Sequence, residues 1–142
     1  MAQRLNNLND IISVLKSGSR FYRESARKSS YADREQIFLE HADLRDNVAR
    51  ELSSIIEEVG GEVVETSPKE EMLKVKTKLA TVFDAKEKSL VYGLEEHEDR
   101  TLEVFRKAIH HKDNSRDEAM LKDYMAKFEQ SHERMRELKM AS

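Results

Sequence analysis

Apolar residues recur at alternating spacings of three and four along four long stretches of this chain, a pattern typical of amphipathic helices. The stretches span about residues 5–27, 31–59, 84–110 and 115–138. Gly and Pro are scarce, with four and one among 142 residues, so the chain lacks the turn-forming residues that a protein of many short strands requires. The pattern therefore predicts an all-α protein of four long helices, in a single domain over residues 1–142.

Turn and capping signals mark where these helices stop and restart. Gly60-Gly61 predicts a left-handed stop after the second helix. Ser67-Pro68-Lys69-Glu70 is a capping box with Pro at the first helical position, so a short helix carrying Met72 and Val75 is expected after it. We therefore expect an up-down four-helix bundle with a short extra helix in the crossover between the second and third helices.

Composition and charge narrow the classes of partner. Charged residues make up 37% of the chain, and both signs are interleaved to a net charge of -3, so no basic surface for nucleic acid is expected. No apolar run approaches the roughly 20 residues of a membrane span, and the N-terminus lacks the apolar core of a signal peptide. The absence of Cys excludes disulfides and thiolate metal sites. We expect a cytoplasmic protein with no nucleic-acid or membrane partner.

Three of the apolar stripes each contain one ionisable residue at a core-facing position: Arg45, Glu98 and His132. Burying a lone charge is costly unless the charge is paired or bound to a metal, so these side chains are expected to meet. In one interpretation they form a structural polar layer, in which Arg45 pairs with Glu98, Glu129 or both and His132 is a hydrogen-bonded core histidine. His41 lies beside the stripe of the second helix, at a position from which it can reach the same layer.

In the other interpretation the layer is a metal site. Glu129 and His132 form a Glu-x-x-His pair, which projects both side chains from one helix face, and Glu98 lies at mid-helix on the third helix. Carboxylate and imidazole ligands suit iron, manganese or zinc. A chain with five His and many Glu also forms such a pair by chance, and no other catalytic motif accompanies it. We expect no bound cofactor; the alternative is a single iron, manganese or zinc ion at these three residues.

Four segments resemble, in the same order, an uncharacterised bacterial family of the ferritin-like superfamily, the domain of unknown function 2383. The segments are LKSGSRFYRESA (15–26), VARELSSIIEEVGGE (48–62), LEEHEDRTLEVFRKAI (94–109) and FEQSHERMREL (128–138). The resemblance covers nearly the whole chain, although no single motif in it is highly specific. It implies a ferritin-like four-helix bundle with a short extra helix in the crossover.

Ferritin-like enzymes use one Glu on each of two helices and a Glu-x-x-His on each of the other two. The resemblance places Glu98 at the third-helix Glu and the Glu129–His132 pair at the fourth-helix motif. Arg45 and Val48 fall where the second-helix pair belongs, and Leu15 falls near the first-helix Glu. Because a fixed cation and two apolar side chains cannot ligate iron, the resemblance implies a degenerate di-iron site without ferroxidase activity.

Two functions from different classes follow from these residues. The first is a non-enzymatic ferritin-like bundle, an interaction or stress-associated protein in which an internal Arg-carboxylate layer replaces the di-iron site. The second is a metal-binding protein or oxidoreductase that uses Glu98, Glu129 and His132 around one ion. Arg45 discriminates between them, because inside the core it neutralises the carboxylates, whereas turned to solvent it leaves a negative pocket. We favour the first.

The chain is also expected to self-associate as a dimer. Several apolar residues lie off the main stripes, and their surface needs cover. They are Phe21, Tyr31, Ile37, Met72 and Val75. The sequence does not indicate any other protein partner.

Overall fold

The computed structural model describes residues 1–64 and 87–141, which form four α-helices and one short 3-10 helix. The helices are α1 (Ala2–Lys28), α2 (Ala32–Glu58), α3 (Glu87–Ile109) and α4 (Glu118–Ala141), and the 3-10 helix (Lys112–Asp117) joins α3 to α4. No strand occurs within these ranges. The all-α class and the four long helices are therefore confirmed. The predicted crossover helix lies outside the described residues.

Contacts near both ends of α1 show that α1 and α2 are antiparallel. Asn9, in the N-terminal part of α1, donates to the backbone oxygen of Glu62 (2.9 Å), beyond the end of α2. Near the other end of α1, Arg23 pairs with Asp46 of α2 (2.5 Å). The turn between the two helices is only Ser29 to Tyr31, which fits this hairpin.

α3 also runs antiparallel to α1. Glu87, at the start of α3, accepts hydrogen bonds from the Ser29 hydroxyl (2.5 Å) and the Ser30 amide (3.2 Å). At the opposite end, Asn114 in the 3-10 helix accepts one from Asn7 (2.6 Å). Consequently α2 and α3 are parallel, and the chain leaves α2 at one end of the bundle and begins α3 at the other.

The end of α2 has the left-handed stop that the sequence predicts. Gly60 has a φ of +76°, a conformation that glycine adopts without steric cost. The Gly60 amide donates to the Glu57 carbonyl (3.0 Å) and the Gly61 amide to the Ile56 carbonyl (2.9 Å), the pair of bonds that defines a Schellman motif. These bonds satisfy carbonyls that the helix itself leaves unpaired.

The interior contains two apolar clusters, one toward each end of the bundle. The larger lies toward the start of α1, and its largest buried members are Leu8, Ile11, Ile12, Leu15, Leu52, Ile56, Phe105, Leu121 and Phe128. The smaller lies toward the α1–α2 turn and consists of Tyr22, Ala26, Phe38, Ala42, Val91, Leu94 and Met135. Within the described ranges, no helix has the length and apolar character needed to cross a membrane.

A buried ion pair holds the 3-10 helix against the first turn of α1. Arg4 Nε and Nη2 donate to the two carboxylate oxygens of Asp117 at 3.0 and 2.8 Å, and both residues are less than a tenth exposed. Asn114 also donates to Asp117 (3.0 Å) and to the Arg4 carbonyl (3.3 Å). This bidentate geometry is the stronger form of an Arg–carboxylate contact, so it fixes where α4 begins.

Candidate functional site

A buried ion pair between α2 and α3 lies in the middle of the bundle. Arg45 of α2 and Glu98 of α3 are both 0% exposed, and Arg45 Nη2 donates to Glu98 Oε1. Arg45 Nη1 donates to the His41 carbonyl one turn earlier (3.0 Å). The guanidinium carbon lies 4.6 Å from the centre of the Tyr22 ring and 5.1 Å from that of Phe128, so Arg45 makes cation–π contacts with both rings.

Three further side chains complete this site, and together they draw on all four helices. The Tyr22 hydroxyl of α1 donates to Glu98 Oε1, and the Ser131 hydroxyl of α4 lies 2.6 Å from the same oxygen. His41 Nδ1 lies 3.1 Å from the Tyr22 hydroxyl and 3.0 Å from Ser131 Oγ. We call Tyr22, His41, Arg45, Glu98 and Ser131 the core polar cluster.

The core polar cluster divides the interior between the two apolar clusters. Along α2, Arg45 follows Ala42 of the smaller cluster and precedes Val48 of the larger one. Along α3, Glu98 lies between Leu94 and Leu102 in the same way. The ion pair is therefore enclosed by hydrocarbon on both sides, where a charge interaction is less screened than in water.

Gly18 of α1 provides the room for Arg45. A Cβ at this position would lie 3.0 Å from both Cδ and Nε of Arg45 and 3.1 Å from Cε1 of His97. These separations are tighter than ordinary van der Waals contacts, so any larger side chain must displace a neighbour. A glycine inside the helix thus lets the arginine side chain run against the α1 backbone.

The ionisation of the cluster follows from burial and from the fixed charge of Arg45. Burial alone would raise the pKa of Glu98, but Arg45 and the hydrogen bonds from Ser131 and Tyr22 outweigh it, so the pKa is lowered. Burial, reinforced by Arg45, lowers the pKa of His41 and of His97, which lies beside the cluster on α3, to about 4 each. Burial and the charge of Glu98 raise the pKa of Tyr22 well above its ordinary value. At neutral pH the cluster holds one positive and one negative charge.

The four residues expected in one layer lie in two different places. Arg45 and Glu98 meet in the core, whereas Glu129 is exposed on α4. His132 is partly buried near the surface, where Nε2 lies 2.7 Å from Asp99 Oδ1. The expected layer is corrected accordingly: Ser131 supplies the contact from α4 that was assigned to Glu129 and His132. Tyr22 was not among the residues expected there either.

Glu98, Glu129 and His132 therefore do not converge on one point as a set of metal ligands. The positions that the resemblance matched to the other ligands, Leu15 and Val48, are buried in the larger apolar cluster. Among the described residues, the group whose ligand atoms do converge is Glu95, Asp99 and His132, with these atoms all within 4.8 Å of one another.

The chemistry open to the core polar cluster is limited by its enclosure. Arg45, Glu98 and Tyr22 are completely buried, so a substrate reaches their polar atoms only if the helices separate. The arrangement suits a structural role, because the hydrogen bonds of one carboxylate oxygen connect α1, α2, α3 and α4 at one level.

The sequence model of a family described as Domain of unknown function (DUF2383) matches residues 3–111, well over half of the chain. No curated protein matches the chain. No solved structure matches it. The matched range contains four of the five members of the core polar cluster and ends before Ser131.

Proposed function

Because this chain belongs to the DUF2383 family, whose description assigns no function, we propose its role from the chemistry of its core. It is a non-enzymatic helical bundle of ferritin-like architecture, and the Arg45–Glu98 ion pair takes the place of a di-iron centre. The observation that carries this proposal is the complete burial of Arg45 against an equally buried Glu98.

The charges of the core favour an ion pair over a metal centre. A di-iron centre of the ferritin-like type requires several carboxylates to balance its cations. In the core polar cluster the carboxylate is Glu98, and the guanidinium of Arg45 already neutralises it. His41 and His97, with pKa values of about 4, are neutral at pH 7, so they do not balance the positive charge of metal ions. A cation entering this core would have to displace Arg45 from a low-dielectric site.

The arrangement of the helices supports the ferritin-like architecture. A ferritin-like fold has one long crossover connection, which makes its second and third helices parallel. α2 and α3 are parallel here, and each hairpin, α1–α2 and α3–α4, is antiparallel. The core polar cluster also takes an inward position from each helix, which is how that fold builds its metal site. The charges of the core polar cluster cancel, and the cluster is closed to substrates. We therefore place any interaction or stress-associated role of the protein on its surface.

Iron chemistry tests the proposal directly. Untagged protein is titrated anaerobically with Fe²⁺ and then exposed to air, while absorbance follows the formation of Fe³⁺. We expect wild-type protein to oxidise iron no faster than buffer. The Arg45→Glu/Val48→His variant, which restores the second-helix ligand types beside Glu98, is expected to gain iron binding, although Leu15 of α1 and Glu129 and His132 of α4 supply no ligand there.

Two variants make the outcome specific to the core. Glu98→Gln removes the buried carboxylate, and His132→Ala alters only the surface group. If wild-type protein oxidises iron, and Glu98→Gln abolishes this activity while His132→Ala leaves it unchanged, the core is a metal centre and the proposal is wrong.

A further inference from the structure

A second group of titratable side chains lies near the surface, between α3 and α4, at the level of the core polar cluster. Glu95 and Asp99 are four apart on α3, so both project from the same face of that helix. His132 of α4 faces them: Nε2 lies 2.7 Å from Asp99 Oδ1 and 3.8 Å from Glu95 Oε1. We call these three residues the interhelical triad.

We propose that the interhelical triad binds a divalent transition-metal ion such as Zn²⁺. One imidazole nitrogen and two carboxylate oxygens are ligands that Zn²⁺ accepts, and three protein ligands leave its fourth position to water. The ligand atoms lie within 4.8 Å of one another, so they can close around one ion with small side-chain movements. This site differs from the ferritin-like centre, because Glu98 takes no part in it.

His132 Nε2 is the atom that most favours a cation here. It is buried from solvent, and it has no hydrogen bond of acceptable geometry within the described residues, despite its short separation from Asp99. A metal ion between the imidazole and the carboxylates would satisfy this nitrogen, since a neutral imidazole ligates through its lone pair.

Nearby positive charges shape the site without filling it. Lys139 Nζ lies 3.3 Å from Glu95 Oε2 and 4.8 Å from the centre of the Tyr92 ring, whereas Glu95 Oε1 is the oxygen that lies 3.8 Å from His132 Nε2. Arg136 also lines the groove around the triad. These two cations reduce the negative potential of the groove, so they are expected to weaken metal binding.

The triad is both held and accessible. The side chains of Glu95 and His132 are 16% and 19% exposed, so packing between two helices limits their motion. Asp99 is 60% exposed, which gives a hydrated ion a path to the ligands. A site on rigid helices loses less conformational entropy on binding than a site on loops.

Calorimetric titration with ZnCl₂ at pH 7.5 tests the site in the untagged chain. We expect one Zn²⁺ per chain in wild-type protein. His132→Ala and Asp99→Asn should each weaken binding by at least roughly tenfold, since even indirect partners of metal ligands contribute that much. Lys139→Gln should tighten binding several-fold, whereas Lys122→Gln, at a lysine on the outer surface of α4, should not.

Controls separate this site from other histidines and from the core. His110→Ala removes an exposed histidine at the far end of α3 and should leave the affinity unchanged. Circular dichroism verifies that each variant is folded, and Mg²⁺ in excess should not compete with Zn²⁺ for an imidazole-containing site. Unchanged affinity in His132→Ala, loss of binding in His110→Ala, or no Zn²⁺ binding by wild-type protein would each overturn the proposal.

Discussion

Arg45 contributes a buried positive charge to the centre of the bundle, and Glu98 contributes the matching negative charge. Each side chain is tolerated there because the other is present, since an unpaired charge in a hydrocarbon interior is strongly unfavourable. Tyr22 and Ser131 add hydrogen bonds to the carboxylate, which favours its ionised form. The contribution of either residue to stability is therefore inseparable from that of its partner.

A double-mutant cycle measures this dependence. Arg45→Met and Glu98→Gln should each lower the free energy of unfolding by about 3–5 kcal/mol, because each leaves a buried group without its partner. The double variant should lose clearly less than the sum. Urea denaturation at pH 7 provides the values. Arg23→Met is the control: Arg23 pairs with two aspartates at the surface, so its loss should cost under about 1 kcal/mol. Additive effects at Arg45 and Glu98 would contradict this account.

One partly buried histidine and one buried histidine, His41 and His97, predict a specific pH dependence of stability. His41 and His97 have pKa values of about 4 in the folded protein, below the ordinary value of 6.5. Between these values the unfolded chain binds protons that the folded protein does not, so the free energy of unfolding falls as the pH is lowered through this window. The lowered pKa of Glu98 also makes the free energy of unfolding fall as the pH is lowered. This stabilisation is fully present above the ordinary Glu pKa of 4.5 and is lost only below it.

Urea denaturation at pH 7 and pH 5 tests this window. The loss of stability attributable to each imidazole should be on the order of 2 kcal/mol at pH 5. In a His41→Gln/His97→Gln variant the difference between the two pH values should shrink accordingly. His110→Gln, at an exposed position, should behave like wild-type protein. An unchanged pH dependence in the double variant would rule out these two histidines as its source.

At the scale of a helix, spacing predicts which face is buried better than it predicts which side chain reaches a given neighbour. On α4, both Ser131 and His132 lie three or four residues from Phe128 and from Met135, so either fits the apolar stripe. The need for a core polar partner favours the ionisable His132, but Ser131 is the residue that turns inward. Only the rotation of α4 against α1 and α3 decides between them, and the pattern of one helix does not contain that rotation.

On α2 and α3 the spacing correctly predicts that Arg45 and Glu98 face inward, because each lies on an unambiguous stripe; both are completely buried. Tyr22 illustrates a further limit. Its position on a stripe indicates a core aromatic, but the partner of its hydroxyl depends on where the carboxylate of a different helix ends. Hydrogen bonds between residues far apart in sequence can be identified only once the packing of the four helices is known.

Gly18 offers a prediction at the scale of α1. Replacing a helical glycine by alanine usually stabilises a helix by up to about 1 kcal/mol. At Gly18 a Cβ would press on Arg45, which its ion pair holds in place, so Gly18→Ala should instead destabilise the protein by about 1 kcal/mol or more. Gly93→Ala is the matched control: its Cβ would meet the end of the partly exposed Phe21 ring, which can move.

Thermal and urea denaturation of the two alanine variants, side by side, check this contrast. Gly93→Ala should be neutral or stabilising. In an Arg45→Ala background, which lacks the Cδ and Nε atoms that crowd Gly18, Gly18→Ala should lose the part of its cost that comes from Arg45, while the contact with His97 Cε1 remains. Equal effects of the two substitutions in the wild-type background would show that Gly18 does not accommodate Arg45.

At the scale of the whole molecule, the remaining apolar surface bears on self-association. Phe21 and Ile37, which were expected to need cover from a second chain, pack against the smaller apolar cluster. Tyr31 remains 54% exposed, and Met72 and Val75 lie outside the described residues.

Dimer formation stays a prediction. Multi-angle light scattering at micromolar concentration should report twice the chain mass of 16.5 kDa, and Tyr31→Ser should lower it; a single 16.5 kDa species would contradict a dimer.

The origin of the buried positive charge has a consequence for how the protein matures. A core completed by a metal ion depends on a cellular supply of that ion, and it can lose the ion again. The central cation of this bundle is covalently part of α2 and reaches its place as the helices assemble. Every folded molecule therefore contains this positive charge, whatever the concentration of metal ions in the cell.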